Sequence, residues 1–318
     1  MVRQRYWCSL ARYCSILRVS ADRAANRGAV LRAQLSNPSN IQPFSWGYRN
    51  PYAIRFPPSD HPLAGGILAG IDGEDERGAR PTNGAPDRLE LARQNPDGSP
   101  DYHGWPDRFG FLPSSQAVFN PIGGTSDDLC VPDPTNPPSG CTPASLQKIL
   151  TEDVPIHDVL ASPPQPITAP LAIEGADSSF TGIDFVPDAF VTGPVRPGVV
   201  LYSLEGDFGF SPENATPPAP VIGHEVKLVN FNQLPDTPLL LQIQNFARNS
   251  TGDQAFVTPN INGFNRPLNV RFGPDGCAYV PDYGAVRDAG ANSHVVGTGN
   301  GSLVQIPGTG VVWKICPM

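Results

Sequence analysis

Proline and glycine constrain this chain more than any other feature. Its 318 residues include 38 Pro and 32 Gly, and only 16% are charged. Proline interrupts helices and fits poorly inside sheets, so this number of prolines requires many turns and loops. The hydrophobic fraction of 39% is still large enough for a core. Many short strands joined by Gly- and Pro-rich connections predict an all-β fold, either a sandwich, a barrel or a propeller.

Charge is distributed unevenly along the chain. Residues 1–40 contain seven Arg and a single acid, Asp22, whereas the remainder contains 15 basic and 29 acidic residues. An acidic body repels phosphate backbones, so nucleic acid is not expected as a partner. No run of 18 apolar residues is present, and we expect no membrane-spanning helix. We interpret residues 1–40 as an Arg-rich leader outside the fold. Because it lacks the apolar core of a signal peptide, it is either a transit-like segment or the start of a truncated gene model.

The cysteines favour an oxidising compartment. Cys130 and Cys141 bracket the loop VPDPTNPPSG, which suits a disulfide and offers no zinc spacing. Cys277 and Cys316 each lie in a strand-like segment and are expected to pair if those strands are neighbours. Three glycosylation sequons are compatible with export: Asn214, Asn249 and Asn300. We therefore expect a secreted or periplasmic protein.

One structural unit recurs along the chain. An alternating strand ends at a Phe, a Gly/Pro turn follows, and a second strand ends in an acidic or aromatic residue and Gly. NVRFGPDGCAYVPDYG (269–284) shows the unit best, and the segments 53–73 and 180–209 are further copies. Such spaced hairpins indicate propeller blades, with a β-sandwich as the alternative. Residues 36–45 are interpreted as a connection and residues 145–154 as a short helix.

The sharpest local pattern is WGYRNPYAIRF (46–56). Arg49 and Asn50 precede Pro51, which favours an extended or turn conformation ahead of a strand. Taken alone, the pattern is that of a surface Arg with an Asn turn. Downstream lie GIDGEDERGARPTNGAPDRLELA (70–92) and DYHGWPDRFG (101–110). The order G-x-R-N-P, acidic Gly-containing loop, P-D-x-L strand and GWP resembles that of the soluble sugar dehydrogenases of the glucose/sorbosone dehydrogenase family.

That resemblance covers roughly residues 41–318 and implies a six-bladed propeller that uses pyrroloquinoline quinone (PQQ). Here the propeller would be incomplete, an arc of about four blades, with residues 28–35 closing a preceding blade. In the family, the Arg and Asn of the R-N-P motif contact the quinone, which implies Arg49 and Asn50 here. A guanidinium pairs well with a carboxylate or a quinone oxygen. Tyr52 stands where the soluble glucose enzymes have Gln, and its ring is suited to stacking on a flat quinone.

The resemblance also implies a calcium ion at the acidic loop. By position, its ligands map to Asp72, Gly73 and Glu74, with Asp87 closing the loop. Oxygen-rich ligands on a flexible loop are those that Ca²⁺ prefers. A solvated acidic loop is the alternative. Because Arg49 and Asn50 lead into one strand and residues 72–76 follow its hairpin partner, we predict that both loops emerge on one face.

The implied activity is oxidation of a sugar or polyol by hydride transfer to the quinone, with an external electron acceptor. The family's general base is a His on blades that precede the R-N-P motif. All five His of this sequence follow Arg49: His61, His103, His157, His224 and His294. None of them is assigned as the base, and His224 is interpreted as a blade residue. The alternative function is a non-catalytic propeller that binds a carbohydrate or a protein partner.

Overall fold

A computed structural model describes residues 28–73, 86–105, 164, 169–175, 178–193, 195–206, 222–232, 240–255, 262–288 and 303–317. The predicted helix at 145–154, the Cys130–Cys141 pair and Glu74 lie outside these ranges. Within the described ranges the regular secondary structure consists of β-strands, and no α-helix is present there. A helix long and apolar enough to cross a membrane is likewise not found in this part of the chain.

Sixteen strands make up the described part of the chain. They are β1 (Ala29–Gln34), β2 (Asn37–Trp46), β3 (Asn50–Arg55), β4 (Ile67–Asp72), β5 (Arg88–Ala92), β6 (Asp101–Tyr102), β7 (Ala172–Ile173), β8 (Phe180–Phe185), β9 (Val200–Leu204), β10 (Glu225–Asn232), β11 (Leu240–Arg248), β12 (Arg271–Phe272), β13 (Ala278–Asp282), β14 (Val286–Asp288), β15 (Leu303–Gln305) and β16 (Val311–Ile315).

These strands form four blade-like sheets and one two-stranded ribbon. Sheet 1 has the order β1-β2-β6, sheet 2 β3-β4-β5-β7, sheet 3 β11-β10-β9-β8, sheet 4 β12-β13-β16, and the ribbon β14-β15. Sheets 2 and 3 are four-stranded antiparallel meanders, and β6 in sheet 1 is the parallel exception. The all-β fold with about four blade-like sheets is confirmed for the described residues. Its arrangement as an arc stays a prediction.

The sheets stack face to face in chain order, and the inner sheets bury both faces. In β4, Leu68 joins the core shared with sheet 3, whereas Ile67 and Ile71 join the core shared with sheet 1. In β9, Tyr202 packs toward sheet 2 and Leu201 toward sheet 4. Successive side chains of a strand point to opposite faces, so a strand between two cores must be apolar at consecutive positions. This is why these strands are short continuous apolar runs.

Sheets 2 and 3 are in close contact at Gly70. A Cβ atom at this position would lie 2.3 Å from Cδ1 of Phe180, too close for any side chain. The Phe180 ring in turn stacks on Tyr202, with ring centroids 4.5 Å apart. Glycine in the middle of β4 therefore provides the space for an aromatic ring from the neighbouring sheet.

The prediction of a connection at 36–45 is wrong, because β2 runs through it and pairs antiparallel with β1. Two prolines, Pro38 and Pro43, argued against a strand in this segment. Residues 31–42 are also exposed, so the sequence has no alternation of buried apolar and exposed polar residues that would indicate one. Proline is tolerated in an exposed strand with an unpaired edge. Position 40, predicted to end the leader, falls inside β2.

A buried polar network joins sheets 1 and 2. Glu90 accepts a hydrogen bond from Nε of Arg88 at 2.8 Å, and its other oxygen lies 3.2 Å from Nδ1 of His103. Asp101 lies 3.2 Å from the second nitrogen of His103, and the ring of Tyr48 stacks on the imidazole. All five side chains are buried. Burial opposes the charged imidazolium, but the two carboxylates outweigh it and raise the pKa of His103.

Cys277 and Cys316 form a disulfide, which confirms the prediction for this pair. Strands β13 and β16 are antiparallel neighbours, with Ala278 opposite Ile315, so the cysteines beside them face each other. Their Cα atoms are 4.4 Å apart, and the bridge spans 39 residues of sequence.

The sequon at Asn249 does not have the surface position that glycosylation needs. Its side chain is buried, and its amide donates to the carbonyl oxygens of Asp253 at 2.7 Å and Phe264 at 2.6 Å. The amide oxygen accepts the backbone N–H of Phe264. This sequon therefore gives no support for export, because the amide that would carry a glycan holds the fold together.

The His103 network makes stability depend on pH. Because the pKa of His103 is raised in the fold above its unfolded value near 6.5, its contribution is complete below that pH and is lost as pH rises through the folded pKa. We expect the free energy of unfolding to fall as the pH rises from about 6 through the folded pKa of His103, by about 1.4 kcal/mol for each unit by which that pKa is raised. Urea unfolding of the wild type and of His103→Gln, measured across this range, tests it. Parallel pH profiles for the two proteins would contradict the expectation.

Removing the disulfide should destabilise the fold by about 2–4 kcal/mol, because the open chain gains conformational entropy when unfolded. The test compares the wild type with the double variant Cys277→Ser, Cys316→Ser in denaturant, each with and without reductant. Reductant should lower the unfolding midpoint of the wild type more than that of the variant. The variant thereby controls for the effect of reductant on any other disulfide. The same midpoint for both oxidised proteins would refute a stabilising bridge.

Candidate functional site

The R-N-P motif and the acidic loop meet at one end of sheet 2. Asn50 at the start of β3 is opposite Asp72 at the end of β4, and its side-chain amide donates to the Asp72 carboxylate at 3.0 Å. Nη1 of Arg49 donates to the carbonyl oxygen of Gly73 at 2.5 Å. The antiparallel pairing that the sequence predicted thus brings these residues together for the described part of the loop, 72–73. We call this end of the sheets the site rim.

Tyr52 is presented to solvent by a β-bulge. The register between β3 and β4 shifts between Pro51 and Ala53, so Tyr52 is the extra residue. Its side chain is 56% exposed, while Ala53 beside it is buried. Bulges commonly redirect a side chain near a functional site. Burial of the phenol, with added repulsion from Glu205 and Asp72, raises the pKa of Tyr52, which places both carboxyl groups near it.

Asp72 carries a buried oxygen that is not hydrogen-bonded. Its Oδ2 accepts from Asn50, whereas its Oδ1 is enclosed and has no hydrogen-bond partner among the described residues. Burial raises the pKa of Asp72, the nearby Asp87 raises it further, and Arg49 opposes the shift. An enclosed carboxyl with a raised pKa is a candidate for proton transfer or for binding a ligand at this rim.

Asp87, at the entry to β5, links sheet 2 to sheet 3. Its Oδ1 accepts the backbone N–H of Gly73 at 2.5 Å. Its Oδ2 accepts the hydroxyl of Ser178 at 2.9 Å and the backbone N–H of Ser179 at 2.6 Å. Ser179 has a positive φ of 54°, which costs energy for a residue other than glycine. The carboxylate therefore fixes both the start of the acidic loop and the two residues that precede β8, Ser178 and the strained Ser179.

A similar link joins sheet 3 to sheet 4. Nη1 of Arg266 donates to the carbonyl oxygen of Gly206 at 2.7 Å and lies 3.4 Å from the carboxylate of Glu205. Arg266 is fully buried, and its backbone N–H is accepted by Asp282 at 2.8 Å. Burial raises the pKa of Glu205, although Arg266 opposes the shift.

The second strands of sheets 2, 3 and 4 end alike. Each of these strands ends at or just before an acidic residue, and a Gly follows within two residues. The pairs are Asp72 and Gly73 after β4, Glu205 and Gly206 after β9, and Asp282 and Gly284 after β13. The three acids lie at the same end of their sheets, because each is hydrogen-bonded or paired to the segment that leads into a first strand. The recurring acidic residue plus Gly in the sequence is therefore the signature of this rim.

His224 is buried in surroundings that suit a structural residue. Burial, and then the neighbouring Arg266, lower its pKa to about 4. Its Nδ1 donates to the carbonyl oxygen of Asn265 at 2.7 Å, and its ring packs against Gly206. Nε2 of His61 is hydrogen-bonded to the carbonyl oxygen of Gly198 in a neighbouring loop. His103 belongs to the network between sheets 1 and 2. These three His therefore have structural surroundings.

The structure places the predicted residues Arg49, Asn50, Tyr52, Asp72 and Gly73 on the site rim, and Asp87 beneath them. Their roles as cofactor or metal ligands stay predictions, and Glu74 lies outside the described residues. Sequence reasoning missed Glu205 and Arg266. Glu205 lies in a segment predicted only as part of a repeated strand unit, Arg266 lies just before another such unit, and only the stacking of sheets 3 and 4 brings the two together. The repeated acid–Gly ending was the signal that could have identified Glu205.

Comparisons with known proteins give a weak structural likeness and no likeness in sequence. No family model matches the chain, and no curated protein matches it. A solved structure similar to it is the holo form of the PQQ domain of pyranose dehydrogenase from Coprinopsis cinerea. The two are 16% identical with a TM-score of 0.38, over 76% of this chain and 53% of that one. The chain thus spans about half of that domain, and a likeness of this degree does not assign a function.

Replacing Asp87 should destabilise the fold. Asp87→Ala leaves a hydroxyl and two buried N–H groups without their acceptor, which should cost about 3 kcal/mol. A matched control is Asp97→Ala, since Asp97 also accepts the N–H and hydroxyl of a serine, Ser99, but in an exposed turn. Urea unfolding should show a large loss for the first variant and a midpoint near that of the wild type for the second. A small, equal effect of both would show that Asp87 does not brace the rim.

Proposed function

We propose that this chain is the cofactor-binding part of a quinone-dependent sugar or polyol dehydrogenase and that the site rim binds PQQ with the substrate beside it. The observation that carries the proposal is the convergence of Arg49, Asn50 and the exposed Tyr52 on one rim with the carboxyl groups of Asp72 and Glu205. The order of motifs around Arg49, which resembles that of the glucose/sorbosone dehydrogenases, supplies the identity of the cofactor.

The residues of the rim suit PQQ chemically. PQQ is a planar quinone bearing carboxylates, and a guanidinium pairs with such groups through a rigid fork of donors. Arg49 is held in place by the carbonyl oxygen of Gly73, which pre-organises its guanidinium. The exposed face of Tyr52 offers a surface on which a flat ring can stack. The enclosed Oδ1 of Asp72 is an acceptor that still lacks a hydrogen bond.

The described residues do not make up a calcium site. The carbonyl oxygen of Gly73 accepts from the Arg49 cation, and the oxygens of Asp87 accept from three donors. No group of three or more His, Cys, Asp or Glu side chains placed to hold a metal ion occurs in the described ranges. We therefore derive no step through calcium.

When bound, the quinone would supply the acceptor for a hydride from the substrate's carbinol carbon. The chain's own residues would bind and orient it, with Arg49 on a carboxylate or quinone oxygen. The hydroxyl proton needs an acceptor, and the carboxyl groups of Asp72 and Glu205 are the candidates near Tyr52. Both have raised pKa values, which moves them toward the range useful for proton transfer.

The second candidate function is carbohydrate binding without catalysis. An exposed aromatic ring beside two carboxyl groups, as at Tyr52, is a common way to hold a sugar, with the ring against its apolar face and the acids on its hydroxyls. The exposure of the Tyr52 ring favours this candidate. It predicts binding of a sugar by the chain in the absence of PQQ.

Calorimetry with PQQ tests the main proposal, with one series in calcium and one in chelator. We expect the wild type to bind and Arg49→Ala to bind at least about tenfold more weakly, because a charged hydrogen bond contributes about 1.5–3 kcal/mol. The control is Arg93→Ala, which removes an exposed guanidinium just after β5, at the opposite end of sheet 2. No binding by folded wild type, or equal affinity in wild type and Arg49→Ala, would remove the cofactor assignment.

A further inference from the structure

The far ends of the first strands of sheets 2, 3 and 4 carry a second cluster of charge. β3 ends at Arg55, β8 reaches Asp184 just before its last residue, and β12 begins at Arg271, each followed by a Phe. Six residues of extended chain span about 17–20 Å, so this cluster lies well away from the site rim. We call Arg55, Asp184 and Arg271 the far rim.

Asp184 is fully engaged on the far rim. Its Oδ1 accepts from Nε of Arg55 at 2.7 Å and from its neighbour's backbone N–H, that of Phe185, at 2.9 Å. Its Oδ2 accepts the backbone N–H of Phe272 at 3.1 Å, and the side chain is only 4% exposed. One carboxylate thus ties the first strands of three sheets together, and its hydrogen bonds go to one guanidinium and two amides.

Arg271 lies beside this carboxylate without a hydrogen bond to it. Its Nη1 donates to the carbonyl oxygens of Ile183 and Val270. Burial lowers the pKa of Arg271, Asp184 opposes this shift, and Arg55 lowers it further. Arg55 bonds to Asp184 and Arg271 bonds to the carbonyl oxygen of the preceding residue, Ile183, so both cations lie beside a single carboxylate, where they repel each other.

The far rim therefore carries two positive charges against one negative charge, although the chain as a whole has a formal charge of −8. The side chain of Arg55 is 43% exposed, so this surplus is accessible from solvent. The Nη atoms of Arg55 and the Nη2 of Arg271 have no acceptor among the described residues. Guanidinium donors of this kind match the oxygens of a carboxylate or phosphate group.

We propose that the far rim is a binding site for a small multivalent oxyanion, a phosphate or a polycarboxylate, held between the guanidiniums of Arg55 and Arg271. The anion would neutralise the surplus charge and relieve the repulsion between the two cations. The hydrophobic side chain of Phe56, exposed next to Arg55, would border the site on its solvent side. This site is separate from the site rim, and its test does not depend on PQQ binding.

The experiment titrates inorganic phosphate, and in a second arm citrate, into the full chain, with sodium chloride of equal ionic strength as the reference. Binding is read by calorimetry and by the rise in thermal midpoint that a ligand of the folded state produces. The arms distinguish the two sources of oxyanion, and tighter binding in one of them identifies the preferred class. We expect affinity for at least one to fall tenfold or more in Arg55→Gln, whose exposed position makes it the variant most certain to fold.

A matched control is Arg196→Gln. Arg196 is also a partly exposed arginine, but its Nη1 is engaged by the carbonyl oxygens of Gly193 and Val195. This variant should bind as the wild type does. Equal affinity in wild type and Arg55→Gln would overturn the proposal, and so would a stabilisation that sodium chloride reproduces. Asp184→Asn, where it folds, should bind the anion more tightly, because it removes the competing carboxylate, and weaker binding in that variant would also count against the site.

Discussion

The fold depends on the burial of both faces of sheets 2 and 3. A sheet covered on one side by one neighbour and on the other side by the next has to be apolar at consecutive positions, as Ile67 and Leu68 show within β4. Space is also needed where sheets 2 and 3 are in contact. Gly70 of sheet 2 provides it, because it has no side chain to collide with the ring of Phe180. Since side chains in the middle of such strands are committed to packing, polar side chains are concentrated at the strand ends and in a few buried networks of charged groups.

The strand ends are where the sheets are fastened to each other. Asp87 connects sheet 2 to the lead into β8, Arg266 connects sheet 4 to the end of β9, and Asp184 connects three first strands at the far rim. Each link is a charged group that bonds to backbone atoms of the next sheet, a form of hydrogen bond stronger than a neutral one. These links fix where the loops emerge, so the geometry of the site rim follows from the same contacts that order the sheets.

Sequence reasoning was most successful where local pattern and burial agree. The runs at 88–92 and 180–185 read as strands because both faces are buried, and the meeting of Arg49 and Asn50 with the acidic loop followed from hairpin topology alone. It failed where pairing partners are distant or polar. β2 is stabilised by its pairing with β1 rather than by burial, and the placement of Arg266 beside Glu205 depends on how sheets 3 and 4 stack. No local property of the sequence reports either contact.

The two rims of the same sheets differ in the sign of their charge, since acids predominate at the site rim and guanidiniums at the far rim. At the site rim, acids end the second strands and raise one another's pKa, while the guanidinium of Arg49 opposes the shift at Asp72 and donates to the carbonyl oxygen of Gly73. At the far rim, a single acid serves two guanidiniums. The far rim is thus left with positive charge that its own described residues do not fully balance, whereas the site rim collects carboxyl groups near one another. Unbalanced charge at a strand end is stable only when solvent or a ligand completes it. We therefore propose binding at both rims, whereas the network around His103 is buried and belongs to the core.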